Sequence, residues 1–532
     1  MARLPQLQQR TIAAAYRRAL ATRPDSPALI DATGEWSFAQ SFEHAMRIAG
    51  GLRALGTGHQ QPVAVMLDNS ARAAITICAV TLGGMIEVPV NTTFRGEFLA
   101  HVLRNSHAET LVIEDHYLER IERIAPSLAH LRQIVVAGSA TAPGAHALSS
   151  RFTLHDLSEL EQSAPASPHD AAPEELFAYM YTSGTTGPSK GVRMPHPQAY
   201  TMASREEQTR PHEHDRMLLS IPLFHVVGQC FGFYQALIHR VPCVIVPAFV
   251  ADDFLPTVRR HEITMTTLLG TMATELEALP EHPDDGRSPL EVALMAPVVH
   301  DVARFERRFQ VQVGTAYGSA EIGLPLVARL GEVRGGECGF AREGFELKIV
   351  DREGLPVPTG ECGELLVRPV LPHTVMAGYH EQPEQTAEIL TADGWLRSGD
   401  GFRQDAEGRF HFTDRLRDVI RYRGEYVPSF ELERVINEYP GVRESAVVAV
   451  PSELAEDEIK AVVAIDAEMR PSHAQLIWFL VDRLPLAMVP RYIEFVDELP
   501  KTASRKVIKR ELRERGTGGA VWDREAAGIP LS

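Results

Sequence analysis

Between Tyr181 and Val192 the chain reads Y-T-S-G-T-T-G-P-S-K-G-V. Thr182, Ser183, Thr185 and Thr186 supply hydroxyls, Gly184 and Gly187 free the backbone, and Lys190 adds a cation. Glycines let backbone N–H groups turn inward as an anion-holding nest, to which hydroxyl and ammonium groups add donors and charge. The chemistry this suits is gripping phosphate. A P-loop would need G-x-x-x-x-G-K-[ST], but Ser189 precedes Lys190 and Gly191 follows it, so that pattern fails at two positions. Glycine- and serine-rich runs also occur as flexible linkers. Here the apolar run Leu176, Phe177, Ala178, Tyr179, Met180 leads in, as a strand feeding a phosphate loop would.

Four further clusters carry chemistry. In Gly314-Thr315-Ala316-Tyr317-Gly318-Ser319-Ala320-Glu321, Tyr317 suits stacking on a purine and Glu321 suits ligation of Mg²⁺, a hard cation that takes oxygen. Taken alone, a glutamate in this setting is more often a first-turn helix residue. In Trp395-Leu396-Arg397-Ser398-Gly399-Asp400, the Asp400 carboxylate accepts only, which suits the two hydroxyls of a ribose. Alone it is an ordinary turn aspartate. The run Asp414-Arg415-Leu416-Arg417-Asp418 and the segment Leu499-Pro500-Lys501-Thr502-Ala503-Ser504-Arg505-Lys506 would each, alone, be solvated surface.

The elements that must position these groups alternate. Val63–Leu67 reads as a strand, Ala71–Leu82 as a helix, Glu87–Val90 as a strand, Gly96–Arg104 as a helix and Thr110–Ile113 as a strand. Such alternation predicts βαβ units and a mainly parallel sheet. Residues 138–174, rich in Ala, Ser, Pro and His, read as a surface excursion. Met217–Ile221 and Val244–Val246 are further buried-strand candidates. From about Gly339 the texture becomes short β segments, at Phe345–Val350, Gly363–Val367 and Gly408–Thr413. The last stretch predicts a separate α+β domain, with helices at Ser429–Tyr439 and Ser472–Arg483 and strands at Ser445–Val450 and Ala461–Ile465.

Composition bounds the class. A chain of 532 residues calls for two or more domains, and 44% hydrophobic content with 23% charge is that of a globular protein with ample core. A net charge of −17 argues against non-specific nucleic-acid binding and against adhesion to anionic membranes. The longest apolar stretch, Ala73 to Val90, is interrupted by Gly83, Gly84 and Glu87, so no membrane span is expected. Five scattered cysteines without a C-x-x-C pair point to reduced thiols in a cytoplasm and away from a zinc site. Residues 1–24 carry five arginines and no acid, the composition of a transit peptide or of an amphipathic first helix; the helix is the expectation, since the segment runs directly into folded-looking sequence.

Order and spacing of the five clusters together are specific, and the chain resembles the AMP-forming acyl-CoA synthetases of the adenylate-forming superfamily from about Pro24 to Lys509. Lesser patterns agree: Pro222-Leu223-Phe224-His225-Val226-Val227-Gly228, and Gly378-Tyr379 followed by Pro383-Glu384 and Thr386. The stretch Arg423 to Glu431 and the tail Trp522 to Ile529 look most like bacterial crotonobetaine/carnitine–CoA ligase-like members. The fold this implies is α/β: a large N-terminal domain of mainly parallel sheets flanked by helices plus a β-rich subdomain, over 1–416, then a small mobile α+β domain over 417–532, hinged at Arg417.

The resemblance also implies roles. Thr182, Ser183, Gly184, Thr185, Thr186, Gly187 and Lys190 would hold the ATP phosphates; Tyr317, Gly318, Ser319 and Ala320 would face the nucleotide; Glu321 would bind Mg²⁺; Asp400 and Arg415 would hold the ribose. Lys506 matches the lysine that bridges the substrate carboxylate and the α-phosphate, and His225 the gate between carboxylate and CoA entry. Gly424 and Glu425 fall on the pantetheine tunnel, while Val226, Val227, Gln229, Met295, Ala296 and Gly323 would line the acyl pocket. The implied reaction joins a carboxylic acid to CoA at the expense of ATP, in a chain that acts alone or as a homodimer. Two departures stand out: Ala320 where the pattern usually has threonine, and Arg505 where it usually has glycine. Loading of a separate carrier protein, or nucleotide binding with weak catalysis, are the alternative readings.

Overall fold

The computed structural model describes the chain except residues 1–3, 140–141, 183–188, 205, 210, 300, 417–419, 423–424, 428, 452–456, 503–504, 520 and 530–532. The chain forms two compact units. One contains Pro188–Glu346 and Val367–Leu396 with the chain that precedes the glycine-rich loop; the other contains Leu347–Leu366 and Arg397–Ser532.

The first unit holds two sheets. One runs in the spatial order Thr153–Asp156, Gln133–Ala137, Thr110–Glu114, Pro62–Met66, Ile86–Pro89, Leu176–Thr182, Lys190–Pro195. Its neighbours pair in parallel until the last two, which form an antiparallel hairpin. Apart from Glu87, the central strands Pro62–Met66 and Ile86–Pro89 are apolar and almost wholly buried, as strands of a parallel sheet covered on both faces are. Helix Ala71–Leu82 shows how: its residues are buried all round, Ser70 Oγ caps it by accepting from Ala73 N at 3.1 Å, and Gly84 (φ +72°) turns the chain back at its end. Burying each large aliphatic side chain here stabilises the fold by roughly 1.5–3 kcal/mol.

The second sheet of this unit has at its centre the parallel strands Gln312–Ser319, Val292–Ala296, Met265–Leu269, Met217–Leu219, Cys243–Ile245 and Pro27–Asp31, in that order. Antiparallel strands Gly323–Ala328 and Glu337–Ala341 extend it beside Gln312–Ser319. Helix Ile12–Thr22, capped by Thr11, packs its apolar face inward, and the arginines flanking that face are used in packing. Arg10 donates to Thr201 Oγ1 at 3.0 Å and Arg18 to the Tyr200 hydroxyl at 2.8 Å.

One expectation fails locally. Residues 138–174 are not a simple surface excursion: Thr153–Asp156 is a parallel edge strand, and helix Leu157–Glu161 buries Leu157 and Leu160. Leu160 fills the space beside Gly51, where a Cβ would sit 2.6 Å from its Cγ. A four-residue edge strand reading T-L-H-D has neither an apolar run nor clean alternation, so periodicity does not announce it.

The second unit contains the β segments Phe345–Val350, Cys362–Pro369, Leu396–Gln404 and Phe410–Arg415, hydrogen-bonded in that order. It also contains the small α+β domain: a sheet ordered Val442–Pro451, Asp457–Ile465, Tyr492–Val496, Trp522–Asp523, with helices Ser429–Ile436, His473–Val481 and Lys509–Glu514. Its core gathers Leu432, Ile436, Val447, Val463, Leu476, Leu480 and Ile493. Among the described residues no helix is long and apolar enough to cross a membrane.

Candidate functional site: a lysine, a tyrosine and a glutamate behind the glycine-rich loop

The glycine-rich loop is strung between two paired strands. Thr182, the last residue of one, lies opposite Lys190, the first of the next. Ser183, Gly184, Thr185, Thr186 and Gly187 lie outside the described residues. The loop's flanks are tied down: Tyr181 donates to Asn105 Oδ1 at 2.7 Å, and His101 Nε2 donates to the Ser189 carbonyl at 2.8 Å.

Glu321 sits just past the end of Gln312–Ser319, in a tight connection where Ser319 pairs with Gly323. Two features make the turn. Gly318 passes so close to Gly323 that a Cβ on it would fall 2.1 Å from the Gly323 carbonyl oxygen, and Gly323 adopts φ +71°. The Ser319 hydroxyl accepts from the backbone N–H groups of Glu321 (3.2 Å) and Ile322 (3.4 Å). Ala320 is 4% exposed, and its carbonyl accepts from the buried Gln198 amide at 2.6 Å. Tyr317 and Ser319 are half-buried, and Gly318 is exposed.

A segment distant in sequence joins these two elements. Residues 376–380 pair with Lys190–Pro195: Val192 bridges Tyr379, Arg193 N donates to Gly378 O at 3.0 Å, and His380 N donates to Gly191 O at 2.7 Å. Tyr379 is thereby placed with its ring 4.8 Å from Lys190 Nζ and its hydroxyl donating to Glu321 Oε1 at 3.2 Å. Gly378 (φ +105°) and Thr386 explain the surrounding pattern: the Thr386 hydroxyl accepts from Tyr379 N at 2.9 Å and would crowd any Cβ at 378. Lys190 and Glu321, nominated from sequence, are thus linked through Tyr379, to which sequence reasoning gave no role; the Gly378-Tyr379 pattern was its signal.

A half-buried carboxylate held at one oxygen by a phenol is a hard, oriented donor, and this fits Mg²⁺, which typically takes one or two carboxylates together with phosphate oxygens. The Lys190 ammonium beside the Tyr379 ring complements phosphate charge.

In the second unit, Asp400 and Arg415 are register partners on adjacent strands, with Arg415 Nε 3.8 Å from Asp400 Oδ1. Ser398 Oγ accepts from Asp400 N at 3.1 Å, and Gly399 (φ +70°) donates to Glu364 Oε1 at 3.2 Å, so the turn is fixed by side chains on both sides. Lys506 is exposed on a turn closed by Thr502 N to Lys506 O (2.8 Å) and Lys506 N to Thr502 Oγ1 (3.1 Å). Arg505 in that turn has φ +58°, the region that favours glycine. Arg417 and Gly424 lie outside the described residues, and Glu425 begins the strand Glu425–Val427.

The remaining candidates flank the second sheet of the first unit. His225 caps a short helical turn, its Nδ1 accepting from Val227 N at 3.2 Å, and Val226 and Val227 are half-buried on that turn. Gln229 starts a π-helical stretch, Gln229–Phe233, an irregularity frequent at functional sites. It is fully buried and donates to Glu87 Oε1 at 2.8 Å. Burial raises the Glu87 carboxyl to about 8, the Gln229 bond opposing the rise, so the side chain is largely neutral at pH 7. Sequence reasoning treated Glu87 only as an interruption of an apolar run; a lone acid in an otherwise apolar strand was the available clue. Met295 is buried and Ala296 half-buried at the end of Val292–Ala296.

Residues 16–380 match the AMP-binding enzyme family and residues 431–506 the AMP-binding enzyme C-terminal domain. Crotonobetaine/carnitine–CoA ligase from Salmonella paratyphi A is 29% identical over 496 residues, covering 90% of this chain and 93% of that protein. The anthranilate CoA ligase AuaEII, solved with anthranoyl-AMP, superposes with a TM-score of 0.86 at 26% identity, over 95% of this chain and 97% of that one. ATP-bound MatB from Rhodopseudomonas palustris gives 0.83 at 26% identity, over 94% and 98%.

Proposed function

Since the chain belongs to the AMP-binding enzyme family and is an AMP-forming acyl-CoA synthetase, we propose that it activates a carboxylic acid as the acyl-adenylate, releasing pyrophosphate, and then passes the acyl group to the thiol of CoA. A carboxylate is a poor electrophile, and converting it to a mixed anhydride with AMP installs a good leaving group. The first step then depends on positioning and charge neutralisation. The observation that carries this reading is the Lys190–Tyr379–Glu321 chain behind the loop.

Thr182 to Lys190 grip the β- and γ-phosphates. Tyr317 and the backbone from Gly318 to Ala320 face the nucleotide, and Asp400 with Arg415 holds the ribose. Glu321, aimed by Tyr379, is the protein ligand for Mg²⁺, which when bound neutralises phosphate charge. Lys506 brings a compact, flexible ammonium to the reacting carboxylate and α-phosphate. The domain of residues 417–532 turns about Arg417 between half-reactions, Gly424 and Glu425 then flanking the pantetheine arm. His225 gates the acyl pocket, with Val226, Val227, Gln229, Met295, Ala296 and Gly323 around it. The relatives are named as CoA ligases of crotonobetaine or carnitine and of anthranilate. The apolar and small residues named here suit an uncharged acyl group, and the scattered cysteines suit work in the cytoplasm.

The deciding experiment is pyrophosphate exchange across a panel of acids, followed by AMP release with and without CoA. Exchange that needs a particular acid, with AMP release that needs CoA, is the expected result. Exchange with AMP release indifferent to CoA but dependent on an acyl-carrier protein would replace this reading with carrier loading.

A further inference from the structure

Two histidine–glutamate clusters lie outside the groups assigned above. In the first, His59, His169 and Glu175 offer ligand atoms within 4.8 Å of one another, but His169 Nε2 already bonds Glu175 Oε2 at 2.7 Å, so these groups satisfy each other. In the second, a nitrogen of His107, a nitrogen of His380 and a carboxylate oxygen of Glu381 also lie within 4.8 Å of one another. His107 follows the helix Gly96–Asn105, whereas His380 and Glu381 follow Tyr379. His107 Nε2 is 3.4 Å from Glu381 Oε2, and the exposed His130 ring lies 4.4 Å from that of His107, centroid to centroid.

His380 is the informative member. Its ring stacks on Tyr179 at 4.3 Å, centroid to centroid. Its Nε2 is buried and has no hydrogen-bond partner among the described residues. A buried ring nitrogen without a hydrogen-bond partner, on a residue grouped with a second imidazole and a carboxylate, is open to a metal ion.

We propose that His107, His380 and Glu381 form a binding site for a divalent transition-metal ion of the Zn²⁺, Co²⁺ or Ni²⁺ class. Two imidazoles with one carboxylate select such ions over Mg²⁺, which takes hard oxygen donors. Ligation at about 2.0–2.2 Å in a tetrahedral shell holds donors roughly 3.3–3.5 Å apart. The exposed side chains of His107 and Glu381 supply the small inward movement, water completes the shell, and His130 is a nearby nitrogen donor. The ion pins the 105–107 turn to the segment that carries Tyr379.

The test uses the full chain, tag-free and stripped with chelator, titrated with Co²⁺ by visible absorption and with Zn²⁺ by calorimetry. His107→Asn, which tolerates the φ of +54° at that position, and Glu381→Gln are compared with His169→Ala in the other cluster. The expected result is one equivalent bound at micromolar metal, weakened at least about tenfold by each of the first two substitutions and untouched by the third. A melt of each variant without metal confirms folding, and added Zn²⁺ raises the melting temperature of the wild type but not of His107→Asn. Absence of binding, affinity unchanged in both His107→Asn and Glu381→Gln, or loss of binding only in His169→Ala would each overturn the proposal.

Discussion

Tyr379 holds two groups of opposite charge through different parts of one side chain: the ring faces an ammonium and the hydroxyl meets a carboxylate. Tyr379→Phe separates the two functions. It keeps the ring beside Lys190 and removes a bond to a charged acceptor, worth about 1.5–3 kcal/mol. The expected outcome is a roughly 10–100-fold fall in kcat/KM for pyrophosphate exchange, with a higher Mg²⁺ requirement and an unchanged melt. A phenylalanine enzyme with the wild-type Mg²⁺ dependence would show that Glu321 does not need its phenol. Arg505 offers a stability test. Its left-handed backbone costs an L-residue about 1–2 kcal/mol, partly offset by the extra chain entropy glycine loses on folding. Arg505→Gly is expected to raise the denaturation midpoint slightly, and a drop would mean that the arginine side chain stabilises the turn by more than its backbone costs. Lys190 and Glu321 were legible because lysine and acid stand out in glycine-rich turns. Tyr379 and Glu87 were not: one acts through pairing across distant sequence, and the other is a charge hidden in an apolar strand.

Among the elements, long apolar runs were read correctly because a strand covered on both faces, or a helix buried all round, writes its burial directly into composition. Ala71–Leu82 appears with the expected ends, and Met217–Leu219 falls inside the expected strand. Thr153–Asp156 escaped because an edge strand is half solvated and its neighbour supplies the pairing. The turn at Glu321 depends on a contact that no periodicity shows, the approach of Gly318 to the Gly323 carbonyl. Gly318→Ala must push the hairpin apart, as overpacking does at about 1–3 kcal/mol. It is expected to lower the melting temperature and to weaken Mg²⁺-dependent activity together. Full stability with lost activity would show that the turn yields at Glu321 alone.

For the molecule as a whole, Glu87 makes stability depend on pH. Its carboxyl is raised in the folded state, so the folded chain binds a proton that the unfolded chain has released, and stability falls as pH rises from about 4.5 to about 8. Glu87→Gln is expected to remove this slope and to gain on the wild type by a few kcal/mol near pH 8, read from denaturant midpoints at pH 5, 6.5 and 8. Parallel curves for the two proteins would place the titration elsewhere. The proposed two-step chemistry is tested at the same scale. Lys506→Ala is expected to cripple adenylation and largely spare thioester formation from supplied acyl-adenylate, and equal loss in both would remove Lys506 from its assigned role. The change to short β segments near Gly339, expected to mark a β-rich part of the large domain, precedes Leu347, where the second compact unit takes up the chain; that the chain from 367 to 396 returns to the first unit is something texture alone does not reveal. That return has a consequence for biogenesis. On the ribosome, Lys190 emerges roughly 190 residues ahead of Tyr379, a lag of about 10–40 s at ordinary elongation speeds. Throughout that interval the nascent polypeptide carries the proposed phosphate-gripping segment without the aromatic ring that sits beside Lys190, so stalled chains ending before residue 376 are expected to fold their first sheet yet fail to retain ATP.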